Sequence, residues 1–238
     1  MLKNTNFIPR SLKRVIENAP YKLLILFLLA DFTVVFLHIL YEFTDIHEYA
    51  NILRLDWFSI EKERGFAETF QYLKEFWIVI ILLFLAIRKY SIILLSWSLL
   101  FIYILFDDAL RIQQKSGYFL AHNLDFSNAF DIPTADIGQL LWAFIIGVIF
   151  LILIGAAYYL SNKKLRSVSN SLLALAGLFL FFSVIIDAVN VVFIKSDIYT
   201  VLSIVEEAGE MLVMSVITWY VFYMDPESAE SDLESKLV

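Results

Sequence analysis

Apolar residues in this chain gather into six long blocks, at 21–41, 72–87, 91–111, 136–160, 169–194 and 200–224, separated by shorter polar stretches. A helix rising 1.5 Å per residue needs about 20 residues to cross a hydrocarbon core. The block at 72–87 reaches that length only if its helix starts upstream, near Ala67, which draws Glu68, Gln71 and Glu75 into the span. Arg88-Lys89 leaves almost no loop, so the second and third blocks form a tight antiparallel hairpin. The pattern predicts an all-α polytopic integral membrane bundle of about six transmembrane helices. It forms one domain over residues 1–224, followed by a short, acidic, disordered tail at 225–238.

Composition agrees. Hydrophobic residues make up 60% of the chain and charged residues 18%, against about 45–50% and 25% in soluble domains. The first block follows Lys3, Arg10, Lys13, Arg14 and Lys22, as a signal peptide would. Its apolar run exceeds the 7–15 residues of such a peptide, and no small-residue cleavage site follows, so it reads as a retained span.

Basic residues set the orientation. The N-terminal stretch, the Arg88-Lys89 turn and the loop with Lys163, Lys164 and Arg166 place ten on one side, against seven in the longer opposite segments. Both termini are therefore expected in the cytoplasm. The chain contains no Asn-x-Ser/Thr sequon, in keeping with a multi-pass protein of a bacterial inner membrane. Of the two longer outer segments, one contains LRLDWFSIEKERGF, whose Trp57 and Phe58 suit the headgroup level. The other begins as a continuation of the third helix and ends in DIPTAD, where Thr134 or Asp136 would cap the fourth.

The residue supply argues against several functions. A net charge of −7 does not suit a nucleic-acid partner. Lys22, Lys74 and Lys195 fall at block ends, where retinal could not be held, and of the three histidines only His38 lies in a block, too few for a haem pair. No nucleotide-binding glycine motif occurs. With no cysteine, disulfides and thiolate metal sites are absent. The 22 phenylalanines read as lipid-facing filler.

What remains distinctive is acid inside apolar blocks. The last block opens with SIVEEAGEML: Glu210 lies three and four residues after Glu207 and Glu206, on the same helix face. Asp107 and Asp108 end the third block, and Asp187 with Asn190 sits near the end of the fifth. Small residues follow these acids in Asp108-Ala109, Asp187-Ala188 and Glu207-Ala208-Gly209, which lets helices approach and turns the acids toward the bundle interior. An acid at a span centre costs about 2.5–3.5 kcal/mol, and an apolar residue returns only about 0.3–0.6. Such a set must be protonated, paired or solvated.

The expectation is an outward-facing intramembrane cluster of Glu206, Glu207, Glu210, Asp187, Asp107 and Asp108 that binds or conducts cations, in a transporter, channel or sensor. Asn190, Glu75, Arg111, Asp31 and His38 would stand behind it. An all-oxygen set suits Ca²⁺, Mg²⁺ or Mn²⁺ better than Zn²⁺, and proton sharing is the alternative occupancy. Plainer readings exist. Asp107 and Asp108 could mark a helix end in water, Asp187 and Asn190 could glue helices, and His38 reads as an interfacial polar tip with Lys74 near the surface. Two other functions stay open: a membrane-embedded metal-dependent enzyme acting on a lipid or small substrate, and an accessory subunit whose acids pair with a membrane partner or a second copy.

Overall fold

The computed structural model describes residues 19–43, 57, 59–60, 65–124, 134–193 and 198–224. Helix is the regular structure found among them: α1 (Ala19–Phe43), α2 (Phe66–Lys89), α3 (Ile92–Leu110), α4 (Ile112–Asn123), α5 (Thr134–Tyr159) and α6 (Lys163–Leu180). α6 continues through a π-helical segment, Phe181–Ile186, into the short α7 (Asp187–Val192), and α8 (Ile198–Tyr223) follows. The acidic tail, the basic N-terminal stretch, Lys195 and most of LRLDWFSIEKERGF lie outside the described residues; Trp57 is described and packs its ring on Phe66 at 6.0 Å.

Five helical stretches are long and apolar enough to cross a membrane: Tyr21–Tyr41 in α1, all of α2, α3 and α5, and the composite Lys163–Asn190. α8 has the length, 26 residues, but also three glutamates. Large apolar side chains face outward along these helices, with Phe144 67% and Ile152 66% exposed on α5. An apolar surface that extensive is compatible with a surround of lipid.

Local chemistry sets the joints. α2 starts at Phe66, upstream of its apolar run, and ends at Tyr90, whose left-handed backbone (φ 48°, ψ 43°) lets its N–H reach the carbonyls of Ala86 and Ile87. The hydroxyl of Ser91 then accepts from Leu94 N–H to begin α3. The side chain of Asn162 caps α6 in the same way, accepting from Leu165 N–H at 3.0 Å. The fifth apolar helix therefore begins at Lys163 and not near 169, because Lys163, Lys164 and Arg166 form its first turn. Arg166 spans the turn and donates to the carbonyls of Tyr158 and Tyr159 at the end of α5.

The third helix does not continue into the outer segment as expected. Arg111 adopts a left-handed conformation (φ 55°, ψ 50°) and ends α3. Its N–H donates to the Asp107 carbonyl, while the Asp107 carboxylate accepts from Gln113 N–H at 2.6 Å and so starts α4 as a separate helix. α4 lies against α5, where Gly117 and Gly138 bring the two backbones together: a Cβ on Gly117 would stand 2.7 Å from the amide nitrogen of Gln139.

α8 is central and packs on α1, α2, α6, the π segment and α7. α2 and α3 form the close hairpin, and α3 also meets α5. The core between them is closed by Ile78, Leu82, Trp97 and Met214, all fully buried, and Trp97 donates from its indole to Ser169 of α6 at 2.9 Å. α5 and α6, though joined by a short turn, hardly touch. That leaves a space in the bundle.

Candidate functional site

The space is a cavity of about 570 Å³ walled by α3, α5, α6, the π segment, α8 and the first turns of α2. Its acids collect at one end of the bundle. Glu206, Glu207 and Glu210 reach it from α8, Asp107 and Asp108 from the end of α3, and Asp187 from the start of α7. Residues far apart in sequence thus line one cavity because each sits near the same end of its helix. Glu68, a turn into α2, is a seventh carboxylate there. Arg111 is the one basic residue among the described residues that line the cavity.

Several contacts fix these groups. Asn190 donates to the Glu206 carboxylate at 3.2 Å and ties α7 to α8. The Tyr72 hydroxyl donates to the Glu68 carboxylate and lies 3.1 Å from the Asp108 carbonyl, joining α2 to α3. Glu210 is within electrostatic reach of Glu207, Asp108, Glu206 and Asp187, and Asp108 is within reach of Asp107 and Glu68. The π segment carries Ser183 and Val184 into the wall just before Asp187. Single turns of π-helix are frequent at functional sites because the extra residue re-aims the side chains that follow. Opposite it, Gly209 accommodates the ring of Phe182; a Cβ there would stand 2.5 Å from Phe182 Cγ.

Glu68 and Gln71 were named in the sequence only as a polar stripe entering the second span, yet both line the cavity. Gln71 is 7% exposed and its Oε1 has no hydrogen-bond partner. Their spacing of three residues, in phase with Glu75, was the signal available. Glu75 itself is fully buried behind the cavity wall and neither carboxylate oxygen finds a hydrogen-bond partner by distance and angle, although Asp108, Glu210 and Lys74 are all within electrostatic reach.

Three polar residues sit differently from expectation. Lys74 is not near the surface: it is fully buried, and its ammonium lies 3.1 Å from Asp31 Oδ1 of α1. It also donates to the Met211 carbonyl at 2.9 Å and the Ser215 hydroxyl at 3.2 Å, both on α8, while Ser215 donates to the other oxygen of Asp31. Asp31 does not line the cavity; it belongs to an ion pair that staples three helices. His38 is no interfacial tip either. It is 1% exposed and is not a lining residue of the cavity, with Nδ1 3.3 Å from the Ser59 hydroxyl. His122, at the end of α4, is exposed.

Among the described residues, no three of His, Asp and Glu are arranged to hold a metal ion directly. The acids line a roomy space and do not converge on a point.

Among the described residues the molecule is thus all-helical, with five helices long and apolar enough to cross a membrane and an acid-lined cavity at one end of the bundle. The chain belongs to the family described as Domain of unknown function (DUF8692), whose model matches residues 22–225. No curated protein and no solved structure matches it.

Proposed function

We propose that this protein is a six-span membrane protein that binds or conducts cations through the carboxylate cavity, as a transporter, channel or sensor. α8 serves as the sixth span. Its glutamates reach the cavity and its buried face packs on other helices, so its charge is not presented to lipid. The end of α2 that carries Arg88 and Lys89 and the start of α6 that carries Arg166 then face the cytoplasm, in a bacterial inner membrane, with both termini on that side and the acidic end outward. One observation carries the reading: seven carboxylates from four helices line a single cavity with one basic residue among its described lining residues. A protein at membrane depth must neutralise such a set, and a cation or shared protons would do so alongside the one basic residue among the described lining residues.

The test is thermal unfolding in detergent at fixed pH with EDTA, Ca²⁺, Mg²⁺, Mn²⁺ or Zn²⁺, for the parent, Glu207→Gln and Asp187→Asn. A cation that binds the folded state alone raises the melting temperature by mass action. The expected result is a shift with at least one cation, reduced in both variants. If every ion leaves the parent unmoved, and melting is also independent of pH between 5 and 8, the cation reading fails.

A further inference from the structure

The acids occupy one end of the cavity; its body has another chemistry. Below them the walls are Trp97, Phe101, Phe150 and Ile154, with no charged side chain among these. The width there is real: a Cβ added to Gly147 of α5 or Gly177 of α6, both lining residues, would meet no heavy atom within 4 Å. Leu151, Leu173 and Leu180 line the cavity and are also 63%, 49% and 53% exposed, on the two helices that barely touch. The cavity body therefore opens sideways between α5 and α6, where the surrounding lipid lies.

A bare ion does not explain this shape. A directly coordinated divalent cation needs six or more oxygens at about 2.0–2.6 Å, and the described acids do not converge that closely. A volume of about 570 Å³ lies in the range of small-molecule sites, roughly 300–1,000 Å³. The polar end also holds a second acceptor besides the carboxylates. Gln71 is buried and lines the cavity with its amide oxygen unpartnered, so a donor entering there would meet a waiting acceptor.

We propose that the cavity takes an amphiphilic organic cation. Its ammonium or guanidinium head would sit among Glu206, Glu207, Glu210 and Gln71, and its apolar chain would lie against Trp97, Phe101 and Phe150, entering between α5 and α6. This rests on the cation reading and adds the class of ligand. The head satisfies several acids at once without the tight oxygen cage of a metal, and the tail fills space that a hydrated ion would leave dry and unfavourable.

The experiment uses the full chain in phosphatidylcholine nanodiscs, with melting temperature as the readout. The probes are decylammonium, methylammonium, decanol and Mg²⁺. Decylammonium is expected to half-saturate the shift at a concentration at least ten-fold below methylammonium, and decanol to give none. Gly177→Leu, which fills the body, should remove the advantage of the decyl chain while leaving methylammonium or Mg²⁺ unchanged; Glu207→Gln should weaken all cations. Competition by stearylamine built into the nanodisc would assign the ligand to the membrane, and its failure to compete would assign it to solution. Equal half-saturation by the two ammonium ions, with Gly177→Leu silent, overturns the amphiphile and leaves the cation reading standing. Decanol acting as well as the decyl cation overturns the role of charge. No response to any cation removes both proposals.

Discussion

Replacing Lys74 by methionine tests the buried staple. The substitution keeps the length and apolar stem of the side chain but removes the ammonium. Three contacts go with it, to Asp31 at 3.1 Å, Met211 carbonyl at 2.9 Å and Ser215 at 3.2 Å. At about 0.6 kcal/mol for an average hydrogen bond between membrane helices, their loss alone costs about 2 kcal/mol. Asp31, fully buried, then keeps only Ser215, and stranding one member of a buried pair costs about 3–5 kcal/mol. The expected destabilisation is therefore about 2–5 kcal/mol, measured by reversible unfolding in SDS-containing mixed micelles. Asp31→Leu alone should cost a similar amount by stranding the ammonium. The double variant should recover to within about 1–2 kcal/mol of the parent, because no charge is left buried and Ser215 can turn to the Met211 carbonyl four residues back. A double variant as unstable as the sum of the two single changes would mean that the groups do not interact, and the staple would be refuted.

Gly209→Leu should lower stability by at least about 1–3 kcal/mol, since even a Cβ would press on Phe182. Gly177→Ala has open space and should be neutral or stabilising by up to about 1 kcal/mol through helix propensity. The same unfolding assay compares them, and equal costs at both positions would contradict the packing described here. Reporter fusions after Ala121 and after Lys164 should report opposite sides of the membrane; agreement between them would overturn the six-span topology.

The acids that meet in the cavity could be picked out beforehand because charge inside an apolar block has few physical outcomes. Asp107, Asp187 and Glu207 each lie in an apolar block that would be costly to place with the acid facing lipid, at the same end of the bundle, so an interior meeting place followed. Their occupant is a separate matter that spacing does not reveal. The start of α2 was also legible, since the length needed to cross demanded residues upstream of the apolar run. The staple was not. Lys74 and Asp31 are 43 residues apart, and a lysine eight residues into a helix looks superficial until a neighbour's carboxylate is seen beside it. Nor did Phe181–Ile186 carry a proline or glycine to mark a break in helical phase, and Arg111 took a left-handed turn usually left to glycine or asparagine. These depend on tertiary packing, which periodicity does not encode.

The position of α8 has a consequence for biogenesis. α1 touches α2 little and is held mainly by α8, yet roughly 155 residues separate the end of one from the start of the other. At about 5–20 residues per second, that interval lasts roughly 8–30 s on the ribosome. During it, Asp31 lacks Ser215, Lys74 lacks the Met211 carbonyl, and the acids of α3 lack those of α8. The nascent chain must therefore wait with these buried polar groups half-satisfied until its last described helix arrives. Premature termination anywhere before α8 leaves α1 without its main support.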